Sequence, residues 1–301
     1  MQWIVLSLFS AVSCSGYAIV QKYAFQKQFS NFLAFAFWGA LFHLGISLFI
    51  LATNPLPIPW TSLPVLTVLA FGVFGAGNTL LLNRVMQKEE EVSRIVPVVD
   101  TYPVFIAILA VVLLGESLTP VKWLAMALVI CGAFLASWHQ SLPGDRVKLN
   151  ASFILLVIVS VGIAVSSIAT KYALGHLSFW HVYALAWIGS APAIAVAAHA
   201  LRGWNQVKMG ISSRRAVSTT LSAHILLFVA CISAYMAFAI GPVSLSSAIM
   251  ASRPIIVLAY ATLVGFFIPK MLAEKTSGRV VLQKSFAVSM VTVGVGVMAL
   301  T

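Results

Sequence analysis

Long apolar stretches separated by short polar gaps dominate the pattern of this chain. Residues 1–21 contain no Asp, Glu, Lys or Arg, and residues 28–83 are equally free of charge. A membrane-spanning helix needs about 20 apolar residues, so the second stretch is long enough for two helices. The segment 54–59, with proline at every second position, divides it because proline removes a backbone donor and restricts the preceding residue.

The same reasoning applied along the whole chain predicts ten membrane-spanning helices. Gly115-Glu116-Ser117 and Gly241-Pro242 are the turn signals that divide the later stretches. The first stretch lacks the positively charged start of a signal peptide, so we expect it to remain in place as a helix. The predicted spans are 1–21, 31–52, 61–83, 92–114, 120–138, 152–171, 179–200, 216–240, 243–268 and 284–301.

Composition supports an all-α integral membrane protein and excludes most other classes. Hydrophobic residues make up 61% of the 301 residues and charged residues only 8%, against about 25% in a soluble domain. Soluble, disordered, coiled-coil and nucleic-acid-binding proteins are excluded, because the net charge of +11 comes from basic residues in short gaps between apolar runs. All three cysteines lie inside apolar runs, which gives neither a disulfide framework nor metal spacing. We therefore expect no cofactor and no metal.

The two halves of the chain show a weak internal repeat. Lys22-Tyr23-Ala24 recurs 149 residues later as Lys171-Tyr172-Ala173, and Trp38 matches Trp187 at the same offset. Three further residues of the fourth span, Val92, Ser93 and Pro103, recur 151 residues later as Val243, Ser244 and Pro254. Matches at nearly one offset, in corresponding helices, indicate a duplicated unit.

Each copy contains five predicted spans, and an odd number inserts the second copy upside down. Residues 3–138 form the first repeat and 152–301 the second, with a linker over 139–151. A 5+5 inverted repeat is a transporter architecture, in which the halves enclose a midplane site and rock to alternate access.

The first repeat resembles the EamA-type proteins of the drug/metabolite transporter superfamily. The resemblance rests on Val92-Ser93-Arg94-Ile95-Val96-Pro97, Tyr102-Pro103-Val104-Phe105, Leu113-Leu114-Gly115-Glu116-Ser117-Leu118-Thr119 and a span ending Cys131-Gly132-Ala133-Phe134-Leu135. It implies ten helices in a 5+5 inverted repeat and transport of a small organic solute. The second repeat departs from the pattern, with Gly265-Phe266-Phe267 in place of the Gly-Glu turn, and Glu89-Glu90-Glu91 is an unusual charged connection.

Basic residues predict the orientation in the membrane. The loops after the odd-numbered helices carry fourteen Lys and Arg residues, whereas the opposite side has only Lys122 and Lys171. The positive-inside rule places the loops after odd-numbered helices in the cytoplasm and both termini outside, which differs from the usual drawing of the relatives. We expect the membrane to be a bacterial or archaeal plasma membrane.

Two ionisable residues are predicted near the middle of spans. Asp100 lies in the fourth span and Arg253 in the ninth, beside Pro254. Each would cost about 2.5–3.5 kcal/mol at the bilayer centre, so both must face protein or water. The two spans are repeat equivalents, which makes a pair across the centre plausible, either as a solute site, proton site or gate, or as a packing pair. Pro97, Pro103 and Pro254 loosen these spans, either to free carbonyls for a ligand or only to kink a helix.

Weaker candidates surround this pair. Lys22 and Lys171 either reach an anionic solute or extend to the headgroups, and His43 and His224 either relay protons or pack. Glu116 is expected to fix a helix start or a loop. Other polar groups expected on cavity-lining helices suit an amphipathic or aromatic solute: Tyr17, Asn78, Asn83, Tyr102 and Tyr235. Small residues of the fifth and tenth spans indicate either a packing seam or a homodimer face: Gly132, Gly294 and Gly296.

Three function classes remain open from the sequence. A secondary transporter is favoured, because no P-loop is present for ATP. An intramembrane enzyme is disfavoured, because no His-Glu-x-x-His or Gly-x-Ser-x-Gly motif is present. A channel or a non-transporting scaffold is the third class. The expected partners are the lipid bilayer and a small-molecule solute of unidentified class.

Overall fold

The computed structural model describes most of the chain. It covers residues 1–29, 31–88, 92–137, 151–201, 203–209, 213–257 and 259–260, with short runs between 282 and 297. The predictions for residues 139–150 of the linker, for the Glu89-Glu90-Glu91 connection, for the turn at Gly265 and for parts of the last span lie outside the described residues.

The described residues include eleven helices up to Met250, further helical residues after it and no strand, which confirms the all-α prediction. Six of them are long and apolar enough to cross a membrane: α1, α2, α3, α7, α8 and α10. The helices are α1 Gln2–Lys27, α2 Phe32–Thr53, α3 Leu63–Lys88, α4 Val92–Val99, α5 Tyr102–Leu114, α6 Pro120–Ser137, α7 Ala151–Leu174, α8 Phe179–Ala200, α9 Trp204–Met209, α10 Arg214–Ile240 and α11 Val243–Met250. The 5+5 inverted repeat stays a prediction.

Two predicted spans end too early, because lysine is tolerated inside the helix. α1 continues to Lys27 instead of stopping at residue 21, and α7 continues past Lys171 to Leu174. In both helices the lysine ammonium group donates hydrogen bonds to backbone carbonyls of a neighbouring helix, so its charge does not force the helix to end.

The fourth and ninth predicted spans are not continuous helices. The fourth is interrupted by a turn at Asp100 and Thr101, between α4 and α5. The ninth is interrupted at residues 251–252, after which residues 253–257 are helical again. Pro103 and Pro254 are each the second residue of the helical segment that follows, where a missing N–H costs nothing. The prolines therefore start new helical segments after a break instead of kinking one helix.

Helices from residues 1–138 pack directly on helices from residues 151–257. α1 lies along α10, α3 along α7 and α8, α2 against α8, and α5 against α11. The closest approach is between α3 and α8, where a Cβ on Gly72 would lie 2.3 Å from the Ala186 carbonyl oxygen. A Cβ on Gly189 would lie 2.3 Å from the Leu69 carbonyl oxygen in the same way. Only glycine allows the two backbones to approach this closely.

Two of the three glycines predicted to form a seam between the fifth and tenth spans pack against other residues of the same chain. A Cβ on Gly132 would lie 2.9 Å from the Ala287 carbonyl oxygen, and one on Gly294 would lie 2.8 Å from the Ala125 carbonyl oxygen. Gly296 has no neighbour within 4 Å of such an atom. The first two glycines therefore serve packing within the chain, and the homodimer stays a prediction.

Candidate functional site

Asp100 and Arg253 form an ion pair in the interior of the protein. Arg253 Nη1 lies 3.1 Å from Asp100 Oδ1, and the Asp100 side chain is only 1% exposed. Among the described residues, Asp100 Oδ2 and Arg253 Nε have no hydrogen-bond partner. The contact that the sequence made plausible is present, and it joins one half of the chain to the other.

The interruptions of the two spans position this pair. Asp100 lies in the turn between α4 and α5, and Arg253 begins the helical segment after the turn that follows α11. Thr101, beside the carboxylate, shares a 3.0 Å hydrogen bond with the buried Ser160 hydroxyl of α7. Ser15 of α1 donates to the Arg253 carbonyl oxygen at 3.4 Å. Breaking a helix at membrane depth is tolerated where the backbone is buried in protein, as it is here.

A polar network connects α1 with α3. Gln21 Nε2 donates to Asn83 Oδ1 at 2.7 Å and to the Tyr17 hydroxyl at 3.1 Å. Asn83 is 1% exposed, and its Nδ2 has no hydrogen-bond partner among the described residues. The structure therefore brings together the predicted Tyr17 and Asn83. It does so through Gln21, which lies at the predicted end of the first span and was not among the sequence candidates.

Two histidines meet in a second buried cluster between α2, α8 and α10. His43 Nε2 lies 3.1 Å from His224 Nδ1, and His43 Nδ1 lies 2.5 Å from the Tyr183 hydroxyl. His43 also stacks on Trp187, with ring centroids 3.9 Å apart and an angle of 14°. Gly39 leaves room for the His224 ring, because a Cβ there would lie 1.9 Å from that ring. Sequence reasoning named both histidines but did not join them, since they are 181 residues apart.

A cavity of about 170 Å³ opens beside this cluster, between α3, α7, α8 and α10. Its lining combines small residues, hydroxyl groups and aromatic rings, and contains no charged side chain: Val68, Phe71, Gly72, Gly75, Thr79, Ser166, Ala169, Thr170, Ala186, Trp187, Ser190, Cys231 and Tyr235. Tyr235 is the one residue of the predicted binding set that lines it. Sites for small molecules are mostly apolar with a few placed polar groups, and this lining has that character.

Asn78 and Tyr102, two further predicted site residues, do not line this cavity. Asn78, 9% exposed, lies over Gly162 of α7, where an added Cβ would be 2.0 Å from its Nδ2. Tyr102 is 6% exposed and packs in an apolar cluster with α7, α10 and α11. Their role as solute contacts stays a prediction.

The two repeat-related lysines bind helix ends. Lys22 Nζ donates to the Met86 carbonyl oxygen at 3.0 Å, in the last turn of α3. Lys171 Nζ donates to the Phe238 and Gly241 carbonyl oxygens at 2.6 and 3.0 Å, at the end of α10. Both ammonium groups thus have partners within the protein, and their contact with a solute or with the headgroups stays a prediction. Positive charge at a helix C-terminus is favourable, because the last carbonyls have no partner within the helix.

Glu116 holds the start of a helix, as the sequence led us to expect. Its carboxylate accepts a hydrogen bond of 2.7 Å from the Val243 backbone N–H, one of 3.4 Å from the Ser244 backbone N–H, and one from the Ser244 hydroxyl. These bonds satisfy the first donors of α11 and fasten the α5–α6 turn to the α10–α11 turn. Among the described residues, no cluster of three or more His, Cys, Asp or Glu that would suit a metal ion is present.

Comparisons with known proteins agree with this architecture. Residues 1–138 match the model of the EamA-like transporter family. No curated protein matches the chain in sequence, but 28 chains of solved structures match its fold. One of them, known only as the crystal structure of a protein, is 14% identical, covers 99% of this chain and 96% of its own length, and has a TM-score of 0.73. At that identity the likeness concerns the fold alone.

Proposed function

We propose that this chain, whose residues 1–138 match the EamA-like transporter family, is a secondary transporter of a small organic solute. The observation that carries this proposal is the ion pair at the interruptions of two apolar spans. Asp100 comes from one half of the chain and Arg253 from the other, at 3.1 Å. A rocking movement of one half against the other would have to stretch or break this contact.

The energetic cost of a buried ion pair supports a functional role for the Asp100–Arg253 contact over a role in helix packing alone. Removing one partner of a buried ion pair costs about 3–5 kcal/mol, whereas replacing both by apolar residues is often neutral. A pair that only had to fill space would thus be easily replaced by apolar side chains. A pair with one carboxylate oxygen still without a hydrogen bond among the described residues has room to exchange partners during a transport cycle.

The cavity supports the same proposal and gives the solute a place to bind. It lies between helices of both halves, and its lining offers hydroxyl groups and aromatic faces. A volume of about 170 Å³ suits a small solute more than a bulky drug. Alternating access would open this cavity first to one side of the membrane and then to the other, which requires no ATP-binding element.

The test begins with the purified full chain and a panel of amino acids, nucleosides, sugars and cationic drugs. A compound that binds the folded state raises the melting temperature. The stabilising compound is then used for exchange across proteoliposome membranes, where we expect flux that saturates with concentration. Flux that does not saturate would indicate a channel, and no flux with any class of compound would overturn the proposal.

The ion pair is tested in the same vesicles. We expect Asp100→Asn and Arg253→Gln each to reduce exchange about tenfold or more, which corresponds to 1.4 kcal/mol or more. The double charge swap, Asp100→Arg with Arg253→Asp, should recover part of the loss. Lys27→Gln, a change at an exposed lysine, serves as the control. Folded single variants with unchanged exchange would show that the pair only packs helices.

A further inference from the structure

A chain of three hydrogen-bonding side chains lies buried next to the cavity. It runs from Tyr183 to His43 to His224 through contacts of 2.5 and 3.1 Å. Tyr183 and His43 are 0% exposed and His224 is 4% exposed. At its far end His224 Nε2 makes no hydrogen bond of normal geometry among the described residues, although the Phe35 backbone lies near enough to act on this ring. Buried polar groups normally find partners, so a nitrogen without a well-formed bond is the end of the chain most open to a proton.

The surroundings of the two imidazoles contain no counter-ion. From α8 they face Tyr183 and Trp187, and from α1 the ring of Tyr17 lies 5.9 Å from that of His224. From α2 the rings of Phe35 and Phe42 complete the contact with His224, at 5.0 and 6.5 Å. Within the described part of the chain, no carboxylate, lysine or arginine acts on either ring. The titratable groups that face the pair are therefore the two tyrosines.

Hydrogen-bond bookkeeping limits this chain to one added proton. Two adjacent imidazoles in contact through Nε2 and Nδ1 must consist of one donor and one acceptor, so they cannot both be charged. In one neutral arrangement His224 Nδ1–H donates to His43 Nε2 and His43 Nδ1–H donates to the Tyr183 oxygen. His224 Nε2 then carries a bare lone pair that can accept a proton.

The same chain can carry the charge of that proton from one ring to the other. A proton that binds at His224 Nε2 makes that ring an imidazolium. Transfer of its Nδ1 proton to His43 Nε2 moves the charge to His43, and the reverse transfer followed by loss of the His224 Nε2 proton returns the pair to neutrality. The proton enters and leaves at His224 Nε2, and only N–H bonds change.

Trp187 connects this chain to the cavity. Its indole stacks on His43 at 3.9 Å and also lines the cavity wall. A charged His43 would lie against the negative face of the indole, which is the favoured geometry of a cation–π contact. A solute in the cavity and a proton on His43 would therefore both contact the Trp187 side chain.

We propose that His43 and His224 form a proton-binding site that is coupled through Trp187 to solute occupancy of the cavity. The proposal rests on the transport function proposed above. A buried imidazolium without a counter-ion is unfavourable in the conformation seen here, so this conformation favours the neutral form of the two histidines. Proton uptake then favours a different arrangement of α2, α8 and α10, which is how a proton drives a conformational equilibrium.

Tryptophan fluorescence tests proton binding without any solute, because a protonated imidazole quenches an indole that it touches. The full chain in lipid nanodiscs is titrated between about pH 8 and pH 4, which extends below the usual range of histidine because burial disfavours the charged ring. We expect a reversible loss of emission on acidification. In His43→Gln, His224→Gln and Trp187→Phe that loss should fall to the level of a protein without the site.

Matched changes elsewhere separate the site from general effects of acid. His176→Gln removes an exposed histidine, and Trp180→Phe removes a tryptophan that stacks on Phe228 instead of on a histidine. Both controls should titrate like the unchanged protein. An unchanged chain that does not titrate, or a His43→Gln chain that titrates normally, would overturn the proposal and leave the histidines as packing residues.

A second measurement distinguishes failure of this proposal from failure of the transport function. In proteoliposomes, His43→Gln should reduce accumulation driven by a pH gradient by more than it reduces solute exchange without a gradient. An equal reduction of both would contradict proton coupling but leave transport intact. A fluorescence titration that behaves as expected, in a chain that exchanges no solute, would contradict the transport proposal and leave the proton site.

Discussion

At the scale of single residues, charged side chains in this protein compensate for broken backbone hydrogen bonding. Lys22 and Lys171, which match in the predicted repeat, each donate to carbonyls at the end of a neighbouring helix. Lysine is costly in an apolar interior, but an unpartnered carbonyl is costly there as well. A hydrogen bond between the ammonium group and the carbonyl reduces the cost of burying each of them, which explains why these lysines stay inside α1 and α7.

Lys171→Met should destabilise the protein, because it leaves the Phe238 and Gly241 carbonyls without their donor. Hydrogen bonds from a charged group contribute about 1.5–3 kcal/mol when buried, and Lys171 is only half-buried, so we expect a loss of about 1–2 kcal/mol. Thermal unfolding of the purified chain measures it. Lys27→Met, at an exposed position on α1, is the control and should leave the melting temperature unchanged. Equal melting temperatures for both variants would contradict the anchoring role.

At the scale of helices, apolar length was enough to predict six spans but not the interruptions. α2 and α8 begin and end within a few residues of their predicted bounds. α3 extends past its predicted end at Asn83 to Lys88. The breaks at Asp100 and at residues 251–252 were missed, because a window of hydropathy sees only composition. The prolines that follow each break carried the signal, yet a proline at the start of a helix and one in its middle look alike in sequence.

Glu116 provides a test of how one helix is anchored to a distant turn. Glu116→Ala removes the acceptor for three donors at the start of α11, so we expect a loss of stability of about 1–2 kcal/mol, the usual cost of losing a helix cap. Glu116→Gln keeps one acceptor oxygen and should lose less. Hydrogen exchange of the α11 amides measures the effect locally.

Exchange in α8 gives the comparison, since that helix packs mainly on α2 and α3. Faster exchange confined to α11 is the expected outcome. Unchanged exchange in α11, or equal acceleration in α8, would show that the carboxylate does not hold this helix.

The candidate site could be predicted from the sequence only in part, and the reason is distance along the chain. The Asp100–Arg253 contact was foreseeable because the two lie at related positions of a repeat and because charge is rare in apolar spans. The cavity was not, since its wall is made of glycine, alanine, serine and threonine, which are common in any membrane helix. Tyr183 and Gln21 were missed for another reason: each acts through a hydrogen bond to a residue far away in sequence.

At the scale of the whole molecule, hydrogen bonds between helix ends agree with alternating crossings of the membrane. Gln28, after α1, bonds to Thr219 near the start of α10, and Trp38 bonds to the Val207 carbonyl after α8. On the opposite side His181, at the start of α8, bonds to the Asn54 carbonyl after α2. Each bond joins ends that lie on one side if the ten predicted spans alternate in direction.

The direction of these crossings relative to the cell follows from the basic residues and can be measured. We expect the ends after odd-numbered spans to face the cytoplasm, because they carry most of the lysine and arginine. In intact cells a maleimide that cannot cross the membrane should label Pro57→Cys, in the connection between α2 and α3. Lys88→Cys, at the end of α3, should be labelled only after the membrane is opened.

Both positions are exposed in the structure, so the difference between them reports the side of the membrane and not burial. The unchanged chain is the control for its own cysteines. The reverse pattern of labelling would place both termini in the cytoplasm, and the side on which Lys171 and Glu116 fasten α10 and α11 would then be the cytoplasmic side. Labelling of both positions in intact cells would contradict the alternation itself, since residues 57 and 88 lie at opposite ends of a single membrane-spanning helix.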